Sequence, residues 1–273
     1  MEPELTPSGA LYDKFTFVLV RPAIAGNIGA AARALKNMGF HRLRLVAPPE
    51  FDRKAAATMA VHAADVVHEA RIYDDLLSSV GDHTLTVGTT CRKGSYRRHA
   101  RELREVTIEL VKAAQANRIA IIFGPEANGL SNDDLELCQE LIVIPTSPAY
   151  PSLNLAQAVA IVAYELRMAL REAIGAEKAN ANAEPHNTLF ARAPVEAVEM
   201  MIRRLEEVLL EIGFLSPDNP QRIMLALRAL FGRAGLSQRE LDILNGIVSQ
   251  VRWFAKGGYE KIAQKRAMGL KIR

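Results

Sequence analysis

The chain has 273 residues, 49% of them hydrophobic and 24% charged, with a formal net charge of +3. That is enough apolar material for one large domain, or a domain with a smaller companion, and too little positive charge to announce nucleic acid by its sum alone. The two cysteines, Cys91 and Cys138, lack CxxC spacing, and His62, His68 and the other histidines lack ligand spacing, so neither a disulfide framework nor a metal site is expected.

Residues 1–14 read as a flexible, polar lead-in with no signal core, and no apolar run approaches membrane length. A cytoplasmic protein is expected. Strand-like runs then follow at Phe15–Val20, Leu43–Val46, Thr84–Gly88, Ile119–Phe123 and Leu141–Ile144. They are rich in β-branched residues and mostly lack alternation, as strands buried on both faces do. Helical patterns fall near 27–38, 53–64, 103–116, 131–139 and 152–172. Alternating strands and helices predict an α/β domain over 15–173, built on a parallel sheet. Gly26-Asn27 can cap its first helix, and Ser131 can cap the fourth, with Asp133 and Asp134 in the first turn.

Residues 174–194 read as a linker, and 195–273 as a small all-α domain. Val195, Val198, Ile202, Leu205, Leu209 and Ile212 form one apolar stripe at helical spacing. Ser237 with Glu240 forms a capping box that opens a last helix running to about Phe254; its apolar face includes Leu241 and either Ile247 or Val248.

Four segments carry candidate chemistry. Asn27-Ile28-Gly29-Ala30-Ala31-Ala32-Arg33 follows the first strand. Arg33 lies four residues after Gly29, on the same helical face, and should lean back over the space Gly29 leaves, toward Asn27. Gly124-Pro125-Glu126 ends a strand in a stiff turn where a ligand can approach backbone closely. Glu126 there fits a carboxylate that accepts backbone N–H groups, and Gly129 fits a left-handed position before the Ser131 cap. Pro145 to Asn154 leads into a helix start, with Ser152 and Asn154 as its polar exceptions. Thr89, Thr90 and Cys91 precede a basic loop holding Arg92, Lys93, Arg97 and Arg98, continued by Arg101 and Arg104. Such a run is either solvated surface or a phosphate-backbone contact. The basic C-terminal tail, from Arg252 to Arg273, is a second candidate surface of that kind.

Asn27/Gly29/Arg33, the 121–130 segment and Pro151-Ser152-Leu153-Asn154-Leu155 together resemble the three signature motifs of the SpoU class of SPOUT RNA 2′-O-ribose methyltransferases. The resemblance covers about residues 15–172, in order. It implies a deep trefoil knot in the α/β sheet domain, a homodimer, and S-adenosyl-L-methionine held by Thr89, Thr90, Cys91, Gly124, Ile144, Pro151, Ser152, Leu153 and Asn154. It also implies catalytic roles for Arg33, Asn27, Ser152 and Asn154, with Gly29, Glu126 and Gly129 in support. The helical extension and the Pro-Ala-Tyr-Pro-Ser-Leu-Asn-Leu wording are most similar to bacterial enzymes that modify cytidine or uridine at tRNA position 32. Ribosomal RNA as substrate, or an RNA-binding module without turnover, stays open. A dinucleotide-binding dehydrogenase fits less well, because Gly26-Asn27-Ile28-Gly29 is not G-x-G-x-x-G and Glu50 follows Pro48-Pro49.

Overall fold

The computed structural model describes residues 7–49, 51–91, 100–179, 191–216 and 220–258. They form two compact units, Met1–Val195 and Glu196–Arg273.

The first unit is built on a seven-stranded, all-parallel sheet: β1 (Phe15–Val20), β2 (Leu43–Val46), β3 (Arg71–Tyr73), β4 (Leu85–Thr89), β5 (Arg101–Glu102), β6 (Ile119–Phe123) and β7 (Glu140–Val143). Their spatial order is β3-β2-β1-β6-β4-β7-β5. Every residue of β1 and β6 is buried, which is why these strands read as unbroken apolar runs. The pleat sorts their side chains by size. Phe15, Phe17 and Leu19 of β1, with Ile119, Ile121 and Phe123 of β6, face one core; Val18, Val20, Ala120 and Ile122 face the other. Phe17 stacks on Phe123 with ring centroids 6.2 Å apart. Each such fully buried ring contributes about 2–3 kcal/mol through apolar burial.

The large-residue face is covered by α2 (Ala25–Asn37), α3 (Arg53–Ala60), α4 (Ala64–Glu69), α6 (Leu103–Ala114) and α8 (Leu155–Ala179). The other face carries α5 (Leu76–Val80) and α7 (Asn132–Glu136). Ser131 and Asp134 complete a capping box at the start of α7. Gly39 ends α2 at φ +86°.

Several expectations need correction. The lead-in is not wholly flexible, because α1 (Pro7–Tyr12) packs Leu11 and Tyr12 onto the core beside Phe40. α2 starts two residues early, with Ile24 as its cap and no side-chain cap bond, so Gly26-Asn27 lies inside the first turn. The helix expected over 53–64 is broken at Val61, a β-branched residue at φ 54°, followed by a short 3-10 turn and α4. The strand β3 and the helix α5 were not legible, being only three and five residues long. The linker expected over 174–194 is helical at its start, since α8 runs to Ala179. Its end is tied to the sheet: Arg192 N donates to Asn117 Oδ1 (3.0 Å) and Val195 N to the His83 carbonyl (2.9 Å).

The second unit contains α9 (Val195–Glu211, beginning at the boundary), α10 (Gln221–Ala234) and α11 (Gln238–Trp253), then a π turn over Phe254–Gly258. Its core is Val198, Met201, Ile202, Val208, Leu215, Met224, Leu236, Leu241 and Val248. The capping box at Ser237 is formed, and Val248 rather than Ile247 faces inward. The α9 stripe is shifted from the expected one: Met201 and Val208 are buried, whereas Ile212 is exposed.

Candidate active site

A parallel sheet exposes its carboxyl ends where neighbouring connections diverge, and that crevice is where α/β folds hold ligands. Here the ends of β4, β6 and β7 open into a cavity of about 670 Å³, a size suited to a small organic ligand. Thr89, Thr90, Cys91, Gly124, Ile144, Pro151, Ser152 and Leu153 all line it, together with Glu126 and Gly129. Three chain segments far apart in sequence therefore share one wall.

Local bonds hold each segment in place. Thr89 Oγ1 donates to the Ile122 carbonyl (3.1 Å) and Thr90 N to that of Ile142 (3.0 Å), fixing the exit from β4 between β6 and β7. Thr146 Oγ1 donates to the Pro151 carbonyl (3.1 Å), closing the Pro-rich loop. Gly124 is required for a reason other than ligand approach. A Cβ there would lie 2.2 Å from Gly129 C and Leu130 N, so the loop folds back on its own strand end. Gly129 supports that reversal at φ +64°.

Glu126 bridges this loop to α2. Its Oε1 accepts from Asn27 Nδ2 (2.7 Å) and its Oε2 from Ala23 N (3.1 Å). α2 has no acidic residue in its own first turn, so the carboxylate supplies the negative charge a helix N-terminus favours. Burial works to raise the Glu126 carboxyl, but the Asn27 amide and the backbone N–H groups outweigh it and hold it below the ordinary range. Asn154 continues the connection: its Nδ2 donates to Asn27 Oδ1 (3.0 Å), and its Oδ1 accepts from Ala156 N (2.9 Å) as the cap of α8. Asn154 does not itself line the cavity, and Ser152 is exposed at its edge.

Two expectations change. The space beside Gly29 is not kept for Arg33: a Cβ at Gly29 would meet the Ala56 carbonyl at 2.1 Å, so this glycine lets α2 and α3 touch backbone to backbone. Arg33 is exposed, does not line the cavity, and makes no hydrogen bond or ion pair among the described residues. The loop residues Arg92, Lys93, Arg97 and Arg98, and the tail beyond Gly258, lie outside the described residues, as does Glu50. Of the basic residues that are described, Arg101 is paired with Glu109 (2.6 Å), Arg104 with Glu165 (3.1 Å) and Arg252 with Glu207 (2.7 Å).

Sequence reasoning missed Arg21. It follows β1 at φ 48° and clasps the buried Asp134 of α7 with two guanidinium nitrogens, one of them at 3.2 Å. Burial pushes the Asp134 carboxyl up, but Arg21 and the Ser131 bonds bring it below its ordinary value. A charged residue wedged between an apolar strand and Pro22 was the only signal available.

The family model of the SpoU rRNA Methylase family matches residues 14–164, which is the whole of this site. The chain belongs to the SpoU methylase family. A second model, the C-terminal domain of tRNA methyltransferase TrmJ, matches residues 187–266. The chain is 36% identical over 249 residues to the tRNA (cytidine/uridine/adenosine-2′-O-)-methyltransferase TrmJ of Pseudomonas aeruginosa, covering 90% of this chain and 97% of that protein. It is likewise 36% identical to the tRNA (cytidine/uridine-2′-O-)-methyltransferase TrmJ of Pectobacterium atrosepticum, covering 89% and 98%. The crystal structure of TrmJ from Z. mobilis superposes with a TM-score of 0.73 at 32% identity, over 86% of this chain and 98% of that one.

The cavity suits the methyl donor of this family. Its lining is mostly apolar and backbone, and among the described lining residues Glu126 is the one charged side chain, the right sign for a sulfonium ligand.

Proposed function

We propose that this protein is a tRNA 2′-O-ribose methyltransferase that uses S-adenosyl-L-methionine, with cytidine or uridine at position 32 of the anticodon loop as its target. The observation that carries this is similarity to TrmJ enzymes along nine-tenths of the chain, including the helical C-terminal unit as well as the catalytic motifs. When bound in the cavity, S-adenosyl-L-methionine supplies an electrophilic sulfonium methyl.

The chain's own residues do the rest. Thr89, Thr90, Cys91, Gly124, Ile144 and Pro151 to Leu153 hold the donor, chiefly through main-chain groups, and exclude water from it. Ser152 and Asn154 sit at the cavity edge where the acceptor ribose approaches, with Asn27 behind them. A ribose hydroxyl is a weak nucleophile near neutral pH, so its developing negative charge needs a partner. Arg33 fills that role as a fixed positive charge on the oxyanion or the adjacent phosphate; a guanidinium with a pKa above about 12 is unsuited to take the proton. Arg92, Lys93, Arg97 and Arg98 bind the RNA backbone.

The reading includes a homodimer. Arg33 is exposed in a single protomer, and Ile24 (54% exposed) and Tyr164 (47%) leave apolar surface on neighbouring helices. A second copy would cover that surface and bring Arg33 to the partner's cleft. The trefoil knot belongs to the same reading, supported by the return of residues 144–154 to the start of α2. So does a cytoplasmic location, which fits a chain with no described helix long and apolar enough to cross a membrane.

Incubation with S-adenosyl-L-methionine and unmodified tRNA or rRNA, followed by nucleoside mass spectrometry and mapping, tests the activity. Methylated cytidine or uridine at tRNA position 32 is expected; methyl groups appearing only in rRNA would overturn the substrate. Arg33→Ala should lower turnover by about a hundredfold or more while cofactor affinity, read by calorimetry, is unchanged. Full turnover in that variant would remove Arg33 from the mechanism.

A further inference from the structure

Three hydrogen bonds join the three motif segments into one chain: Glu126, Asn27, Asn154, then the first turn of α8. The donor order along it is forced from both ends. An ionised carboxylate only accepts, and both Glu126 oxygens are already engaged, so Asn27 must turn its NH2 toward Glu126. At the far end the Ala156 N–H needs an acceptor, so Asn154 must turn its carbonyl inward and its NH2 toward Asn27. The Asn27 carbonyl is then the acceptor between them. Each amide nitrogen carries two hydrogens, so Asn154 retains one N–H with no acceptor among the described residues. Asn27 is half-buried, whereas Asn154 is exposed and follows directly on the lining residues Pro151, Ser152 and Leu153.

We infer that Glu126 is a positioning residue that acts through Asn27 to aim the unused Asn154 N–H at an oxygen of the acceptor ribose. This rests on the methyltransferase reading above, and it assigns Glu126 no proton transfer, since both of its oxygens are occupied. Reversing either amide would place two donors face to face at one joint. The relay is therefore a directional device: the carboxylate sets Asn27, and Asn27 offers Asn154 an acceptor that leaves its second N–H for the sugar.

A charge-conserving swap tests this. In Glu126→Gln alone, the new amide donor opposes either Ala23 N or Asn27 Nδ2. In Asn27→Asp alone, two carboxylates face each other. Combining the two substitutions exchanges the partners. The amide now at position 126 donates to the carboxylate now at position 27, and its carbonyl still accepts from Ala23 N. That carboxylate still accepts from Asn154, and the net charge is that of the native protein. Each single variant should lose turnover on the order of a hundredfold, the scale of a misaimed contact. The double variant should recover most of that loss, and its melting temperature should return above those of both single variants. A double variant no more active than Glu126→Gln would mean that Glu126 or Asn27 acts directly on the reacting atoms, and would overturn the inference. The thermal cycle needs no turnover, so it judges the relay even if the native enzyme methylates no tRNA; additive losses in melting temperature would overturn the relay by themselves. Native protein without methyl transfer but with a rescued melting temperature would sink the proposed activity and leave the hydrogen-bond order standing.

Discussion

The two ends of the parallel sheet hold charged clusters of opposite character. At the amino ends of β4 and β6, Asp82 accepts from Arg44 at 2.7 and 2.9 Å and pairs with Arg118 at 2.8 Å. Arg44 is buried and also donates to the Ser79 carbonyl. Burial raises the Asp82 carboxyl, but these guanidinium groups more than offset it and keep it ionised far below the carboxylate range. His83 beside it is fully buried; its Nδ1 lies 3.0 Å from Asp82 Oδ1, yet neither ring nitrogen makes a hydrogen bond among the described residues. Two guanidinium groups share one carboxylate there, which makes a static clamp. At the carboxyl ends of β4, β6 and β7, Glu126 holds a chain of neutral amides that stops at an unused donor beside a cavity. One end is closed by ion pairs and stabilises; the other is left incomplete, as a site awaiting a ligand must be.

That contrast can be broken at several points, and the largest effect is expected at the turn behind the cavity. Gly124→Ala forces a Cβ to 2.2 Å from backbone atoms of Gly129 and Leu130. It should cost about 3 kcal/mol or more, read by denaturant unfolding, with cofactor binding lost as the loop shifts. A fully stable, cofactor-binding variant would show that the loop tolerates another path.

The clamp is tested by pH. Burial, aided by Arg44 and Arg118 and opposed by Asp82, lowers the His83 pKa from 6.5 to about 4. The native state therefore keeps His83 neutral where the unfolded chain binds a proton, so stability falls as pH drops from 6.5 towards about 4. The loss amounts to about 3 kcal/mol. His83→Phe should flatten that part of the stability curve; an unchanged slope would place the titrating group elsewhere.

Asp134→Ala removes the Asp134 side-chain half of the α7 capping box and the partner of Arg21, and a cost of about 2 kcal/mol is expected. The depressed Asp134 carboxyl makes its contribution complete above the ordinary carboxylate range and lost as pH falls through the lowered native value, so the variant should differ least from native protein in acid. A difference that grows on acidification would contradict the assignment. The smallest effect belongs to the exposed Arg101–Glu109 pair. Glu109→Ala should change stability by less than about 1 kcal/mol, and tRNA affinity should rise slightly if Arg101, once released, contributes to the RNA surface.

The strongest parts of the fold were legible in the residues alone. β1 and β6 showed themselves as apolar β-branched runs because both their faces are buried, and the Ser131 and Ser237 capping boxes were visible because capping is a local hydrogen-bond pattern. β3, with two exposed residues, and the short α5 left no such pattern. The site divides the same way. The strand-to-loop passages at Gly124 and Pro145–Asn154 announced themselves by composition, but the reasons for Gly29 and Gly124 did not. Both glycines are required by backbone arriving from elsewhere: α3 in one case, the loop's own return in the other.

Local order, then, was written in residue periodicity and caps, together with the family to which the motifs belong. Partnership was decided only in three dimensions. Glu126 meets Asn27 across 99 positions, Arg21 meets Asp134 across 113 and Asn154 meets Asn27 across 127. A hydrogen bond depends on angstrom-scale geometry that no spacing along a chain encodes, so the sheet had to close before these side chains could acquire their roles.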